Sequence, residues 1–419
     1  MKYFNNITTP EELKKQFRDC LENNILNYWI TKVTDHEHGG YYGRVDGHDN
    51  VHPEAEKGAI LNARILWAFA ASYRVLRKAE YLKAAERARD YIFDHFLDKE
   101  EGGVYWSVDS EGNVLDDKKQ TYAIGFTIYG MSELARANGD RKALDCAIAL
   151  YHDIEGHAFD SRNNGYIEAL TRNWKPIADM RLSDKDENGS RTMNTHLHII
   201  EPYTNLLRVL KGDHPAALVL TDEERTVLRN DVERSVRNLL DIFTDKILNK
   251  ETYHLDLFFN DEWQGKRNIQ SFGHDIEASW LLHETALVLG DRATLERIEP
   301  LVRYIASAAD EGLQPDGSTI YEKWLDDGRE DRQRQWWVMC ESVIGHANLY
   351  EHFGSAQTLG KCIRAWEYIQ KYLIDKENGE WHWARLDDGS INYDDDKAGF
   401  WKCPYHNSRM CLEIMQRDI

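Results

Sequence analysis

Six times along this chain, glycine and aromatic residues cluster in a short turn-rich stretch that runs into an amphipathic helical pattern. The stretches are Gly39–Gly43, Gly102–Trp106, Asn164–Tyr166, Tyr253–Trp263, Gly317–Trp324 and Gly379–Trp383. Most lie about 60–70 residues apart, with one longer interval between the third and the fourth. Such a period holds two helices and a hairpin. Six units predict an all-α fold: an (α/α)6 barrel, a closed toroid of twelve helices with short β-hairpins at one mouth.

The chain has 419 residues and 42% hydrophobic content, enough for one large core. No Pro/Ser linker or low-complexity tract divides it, so residues 1–419 read as a single domain. The net charge of −20 argues against nucleic acid and anionic membrane as partners, since both need basic patches. The six cysteines form no CxxC pair, and several fall inside helical patterns. Reduced, buried thiols fit a cytoplasmic protein. Met1 to Phe17 contains no apolar signal core, and no apolar run reaches membrane-span length. The expectation is a cytoplasmic monomer or weak homodimer.

Helical periodicity runs from about Lys57 to Leu76 and restarts near Gln120, Thr192, His274, Arg334 and Pro404. The intervening patterns, such as Lys78–Phe96, Arg141–Glu155 and Glu223–Phe243, carry more charge and predict an outer ring. Six inner helices pointing the same way would converge their N-termini on one mouth. Unusual residues gather in their first two turns: Arg64, Asn194, His198, His274, Glu277, Trp337, Glu341 and His406.

Arg64 has Ile60, Leu61, Trp67 and Ala68 at helical neighbour positions, so its face is apolar. A guanidinium there needs a carboxylate partner or an anionic ligand. Asn194, His198 and Glu201 share one helix face. His274 and Glu277 stand three apart, where an intrahelical hydrogen bond is expected. A carboxylate on one imidazole nitrogen fixes the tautomer and makes the other nitrogen more basic. Among the aromatic residues, Tyr41, Tyr105 and Tyr166 fit packing at helix ends. Trp337 and Trp401 stand beside the histidines and fit ligand contact, because indole faces suit the C–H faces of a sugar.

No P-loop, G-x-S-x-G or dinucleotide-binding motif is present. Cys403 lies near His406, but Cys-Pro at a helix entry reads as structural. His196 and His198 point to different sides of a helix. The two His-x-x-Glu pairs resemble carboxylate-bridged metal ligands, yet no tight zinc or iron signature accompanies them. Neither a metal nor another cofactor is expected. A glycoside hydrolase would need two flanking carboxylates, for which Asp275 and Glu341 are candidates. Imidazoles and an arginine around a sugar suit proton transfer next to a carbonyl. The C2 proton of an open-chain aldose is acidic, and its removal gives an enediolate that Arg and His stabilise. Its return to the opposite face inverts C2.

Five segments carry a resemblance. Gly58-Ala-Ile-Leu-Asn-Ala-Arg64, Met193-Asn-Thr-His-Leu-His198, Ser271-Phe-Gly-His-Asp-Ile-Glu-Ala-Ser-Trp280, Trp336-Trp-Val-Met-Cys-Glu341 and Trp401-Lys-Cys-Pro-Tyr-His-Asn407 resemble the N-acylglucosamine 2-epimerase superfamily. Within it they look most like the cellobiose 2-epimerases, over essentially the whole chain. The resemblance implies an (α/α)6 barrel and cofactor-free epimerisation of reducing-end glucose to mannose. By motif position, His274 and His406 match the acid–base pair and His198 an assisting histidine. Arg64 matches the residue on the open-chain oxygen. Trp337, Trp401, Asn194, Glu277 and Glu341 match pocket positions, and Asp186 matches a contact to a second sugar. The substrate is then a disaccharide or, in relatives with the same motifs, a monosaccharide.

Overall fold

The computed structural model describes residues 9–183, 185–212, 220–265 and 268–419. The first eight residues and Asp184, the first residue of the loop 184–190, lie outside the described residues. Twelve α-helices occur among those described: α1 Pro10–Asp19, α2 Ala59–Leu76, α3 Ala79–Tyr91, α4 Thr121–Asn138, α5 Arg141–Asp153 and α6 Met193–Lys211, then α7 Asp222–Ile242, α8 Phe272–Leu289, α9 Arg292–Ala309, α10 Trp336–Phe353, α11 Ala356–Tyr372 and α12 His406–Gln416. The even-numbered helices pack each on the next, and α12 packs back on α2. This closes an inner ring. Helices α3, α5, α7, α9 and α11 back the inner helix that precedes each of them, and α1 backs α12. The fold is the expected (α/α)6 barrel, and every inner helix starts within two residues of its expected position.

Composition separates the rings. Every residue of α2 from Ala59 through Ser72 is buried, as befits a helix apolar all round. Outer helix α9 buries only a stripe at three- and four-residue spacing, including Thr294, Ile298, Val302, Ile305 and Ala309. Inner helices α4, α8 and α10 stop at Gly139, Gly290 and Gly354, whose φ values of 79°, 76° and 72° suit a residue without Cβ.

The Gly/aromatic stretches form or adjoin the turns that follow each outer helix. Paired residues are Thr34 with Tyr41, Leu97 with Val104, Phe159 with Tyr166, Leu248 with Leu255, Leu313 with Thr319 and Ile374 with Trp381. Tyr41 and Tyr166 pack in the core, as expected. The first residues of four inner helices donate their N–H groups to the following unit: Ala59 to Trp106, Thr121 to Glu168, Met193 to Leu257 and Trp336 to Trp383, at 2.9–3.0 Å. Val45 pairs with Ala398 and closes the circle. Buried ion pairs hold the hairpins to the helix starts, including Lys57–Asp35 (2.7 Å) and Lys119–Asp98 (2.8 Å). All six cysteines are buried and free. Among the described residues no helix is long and apolar enough to cross a membrane.

Candidate active site

The inner helices are parallel. Arg64 of α2 meets Tyr122 of α4 near their starts, and Arg74 meets Glu133 near their ends. Six N-termini therefore surround one mouth, which opens into a cavity of about 700 Å³. Arg64, Asn194, His198, His274, Glu277, Trp337, His406, Trp401 and Asp186 all line it. Glu341 does not line it. It is fully buried behind His406 and accepts a hydrogen bond from that ring.

Each of the three imidazoles is fixed through Nδ1. His406 Nδ1 is 2.7 Å from Glu341 Oε1, and His198 Nδ1 is 2.9 Å from Glu201 Oε2. His274 Nδ1 is 2.8 Å from Ser271 Oγ. Each Nε2 is thereby the nitrogen left for chemistry. The expected His274–Glu277 hydrogen bond is not formed. Arg409 takes Glu277 instead, and Ser271, at the residue before α8, takes His274. Trp337 stands between two of the imidazoles, its ring 4.7 Å from His274 and 5.8 Å from His406. Gly273 permits this approach, because a Cβ there would lie 2.6 Å from the Trp337 ring. Gln335 Oε1 holds the Trp337 indole N–H at 2.8 Å.

Arg409 organises the floor of the site. Its Nη2 donates to Glu277 Oε1 (2.5 Å) and Glu341 Oε1 (2.7 Å), while Nη1 meets Glu201 and Tyr405. Trp280 Nε1 also donates to Glu341, at 2.9 Å. Three buried carboxylates share this guanidinium. Burial opposes the charge on Glu201, but Arg409 and the His198 hydrogen bond hold it down at about 2. Burial and the neighbouring Glu341 push Glu277 well above the usual carboxylate range. Its Oε2 has no hydrogen-bond partner and lies 3.9 Å from His198 Nε2. Burial lowers all three histidines: His274 to about 3, with His198 adding to the effect, and His406 well below its usual value, with Arg409 adding. At neutral pH they are free bases.

Glu277, Glu341 and His406 place potential metal-ligand atoms within 4.8 Å of one another. Arg409 donates to both carboxylates, so a guanidinium stands where a divalent ion would have to bind. Asp275, the other hydrolase candidate, is turned away from the cavity. It accepts from His254 Nδ1 (2.6 Å) and Leu255 N (2.9 Å). Burial pushes the Cys403 thiol up, which disfavours a thiolate nucleophile.

Arg64 resolves the sequence alternatives in one direction. It is 3% exposed, and among the described residues no carboxylate forms an ion pair with it. Its Nη2 donates to Tyr122 Oη at 2.7 Å, and its plane is caged by the rings of Phe126 (4.1 Å), Tyr405 (4.9 Å) and Tyr122 (5.7 Å). At the outer part of the mouth, Trp401 packs edge-on to Tyr122 at 6.2 Å. Asp186 Oδ2 accepts from Ser183 N and Oγ at 2.9 and 3.0 Å, which shapes its loop. Glu168, another buried residue, accepts from Thr192 N, Thr192 Oγ and Thr195 Oγ (2.7–2.9 Å) and so fixes the start of α6.

Sequence reasoning passed over Tyr122, Arg409, Ser271 and Glu168. Arg409 stands three residues after His406 on the same helix face, which is a usable signal. Tyr122 stands at the start of α4 and is found once phenols are counted among polar groups. Glu168 lies in an irregular connection and gives no such signal.

The chain is similar to known proteins over nearly its whole length. The family model for N-acylglucosamine 2-epimerase (GlcNAc 2-epimerase) matches residues 40–201 and 216–409. The chain is 53% identical over 405 residues to the cellobiose 2-epimerase of Bacteroides fragilis, covering 97% of this chain and 99% of that protein. It is 35% identical to the cellobiose 2-epimerase of Ruminococcus albus, covering 96% and 98%. The solved structure of cellobiose 2-epimerase from Bacillus thermoamylovorans superposes with a TM-score of 0.88 at 38% identity, covering 97% and 99%. With a family model spanning most of the chain and relatives aligned nearly end to end, the chain belongs to the N-acylglucosamine 2-epimerase family.

Proposed function

We propose that this protein is a sugar 2-epimerase that interconverts glucose and mannose at the reducing end of a β-1,4-linked disaccharide such as cellobiose. The observation that carries the reading is one cavity lined by three Nδ1-anchored imidazoles and by an arginine without a carboxylate partner among the described residues. In the ring-opened sugar, one imidazole of the His274/His406 pair takes the C2 proton. The C–H electron pair forms the C1–C2 double bond, and the carbonyl electrons move onto O1. Arg64 faces that charge. The developing anion raises the basicity of the neighbouring imidazoles, so the second histidine takes up a proton from solvent. It delivers that proton to the opposite face of C2, O1 re-forms the carbonyl, and the first imidazolium releases its proton to solvent.

His406 is backed by a carboxylate, and His274 by a hydroxyl. His198 and Glu277 border the reacting carbons. Trp337 and Trp401 offer ring faces, with Asp186 towards the second sugar. The chemistry draws on protein groups alone, so no metal or cofactor is assigned. We read residues 1–419 as one catalytic domain, supported by ring closure at Val45 and Ala398. A cytoplasmic location suits six reduced buried thiols. A monomer or weak homodimer suits the scattering of exposed large hydrophobic residues, such as Leu115, Val227 and Tyr304.

Incubation with cellobiose, mannose and N-acetylmannosamine, with products identified by NMR, tests the assignment. Conversion of cellobiose to its mannose-ended epimer is expected. Exclusive turnover of free mannose or of the N-acyl sugar would move the substrate to a monosaccharide, and release of free glucose would replace epimerisation by hydrolysis.

A further inference from the structure

The surroundings of Arg64 are built for a negative charge that the substrate itself does not carry. The side chain is 3% exposed, its Nε has no hydrogen-bond partner, and its remaining contacts are a phenol, a thiol 3.9 Å away and aromatic faces. Six parallel inner helices also aim their positively polarised N-terminal ends at the same cavity. We propose that this cavity is an anion site as well as a sugar site, and that it captures the aldonate of its sugar, the open-chain acid with a carboxylate at C1. This ligand class rests on the C2-epimerase reading. It would act as a tight competitive inhibitor.

The chemistry of the aldonate explains the fit. Like the enediolate, it is an open chain with a planar C1 and negative charge on O1. Unlike the aldose, it has a C2 proton of low acidity, because the carboxylate is already anionic. It therefore stays bound without reacting. Groups that stabilise a high-energy intermediate bind its stable mimics more tightly than the substrate.

Binding also takes up a proton. Arg64 of α2 and Arg409 of α12 are the positive charges acting on His198 and His406. Glu201 of α6, Glu277 of α8 and Glu341 of α10 are the acids, and burial and the neighbouring Glu341 push Glu277 well above the usual carboxylate range. Tyr122 of α4 and Tyr405 are neutral phenols. Lys185, Asp186, Glu322, Asp331 and Asp395 also line the cavity. A ligand carboxylate adds one negative charge, and a neutral imidazole beside it becomes an imidazolium. Affinity then falls as pH rises, by up to about tenfold per pH unit across the interval between the free and bound imidazole pKa values.

Isothermal titration calorimetry with cellobionate and with cellobiitol, its neutral alditol, decides the matter. Phosphate and Tris buffers are compared at one pH to count protons. The aldonate should bind about tenfold or more tighter than the alditol and take up close to one proton. The alditol should take up none. Arg64→Met should erase most of the aldonate advantage, and Arg64→Lys should retain part of it. Equal affinity of the two ligands for the wild-type enzyme, or tighter aldonate binding without proton uptake, would overturn the proposal whatever the variants do. If neither disaccharide ligand binds, the disaccharide assignment fails, and the mannonate and mannitol pair puts the same question to the anion site.

Discussion

The two ends of the barrel use the same residue types to opposite effect. Towards the C-terminal ends of the inner helices, arginines pair with glutamates one or two at a time. Arg74 pairs with Glu133 (2.6 Å), Arg208 with Glu284 (2.7 Å), and Arg417 with Glu351 (2.7 Å) and Glu413 (3.1 Å). At the N-terminal ends the pairing is deliberately unequal in number. Glu201, Glu277 and Glu341 share Arg409, and Arg64 has no acid. At the far end Glu133 holds both Arg74 and Arg136. The mouth holds an arginine without an acid beside it and neutral bases. Such mismatch costs stability in the free protein and is kept where chemistry needs it.

The largest expected effect falls on the mouth. His274→Ala and His406→Ala should each lower turnover by at least ~10²–10⁴-fold, the usual weight of a general acid–base group. The fold should survive, because Glu341 keeps Arg409 and Trp280 as partners. Steady-state kinetics with circular dichroism checks both points, and near-normal activity in either variant would remove that histidine from the mechanism. Next comes a matched pair of arginine variants. Arg64→Met should cost ~10²–10³-fold in kcat/KM, as loss of an oxyanion partner does, with Tm unchanged or raised. Arg74→Met should do the reverse. It strips Glu133 of its nearer partner, leaving Arg136 at 3.4 Å, and should destabilise by about 2 kcal/mol, with turnover per folded molecule retained. Similar behaviour of the two variants would erase the distinction between the ends.

The pH dependence of stability is a smaller effect. The folded pKa of His274, about 3, lies below the roughly 6.5 of an exposed imidazole. As pH falls, the unfolded chain takes up this proton first. The stability contribution is therefore complete above about pH 6.5 and is lost progressively towards pH 3, at up to about 1.4 kcal/mol per pH unit. His274→Gln should flatten that limb of a plot of Tm against pH, and an unchanged slope would show that this ring is already solvated in the folded state. The smallest effect concerns substrate length. Trp401→Ala should reduce kcat/KM for cellobiose several-fold more than for mannose, since a stacking contact is worth ~0.5–1.5 kcal/mol beyond area burial. Equal losses would confine Trp401 to closing the barrel.

Much of this was legible in the residues. Helical period and six Gly/aromatic turns are local signals, and they placed the inner helices to within two residues. The histidines and Arg64 stood out because polar groups on apolar faces are costly without a purpose. Partners were less legible. Glu277 sits three residues from His274 yet bonds to Arg409, 132 positions away in sequence. Closing the ring brings α12 against α8 and α10, and a charged guanidinium competes better for a carboxylate than a neutral imidazole does. Glu341 was expected in the pocket and lies behind it for the same reason: His406, Arg409 and Trp280 together hold its carboxylate inside the floor.

Epimerisation by this site requires that a proton leave C2 and be replaced from solvent on the other face. NMR of cellobiose incubated with the enzyme in deuterated water measures this directly. The mannose-ended epimer should carry deuterium at C2 of the reducing sugar and at no other carbon. An epimer that forms while retaining its original hydrogen at C2 would contradict exchange through two histidines.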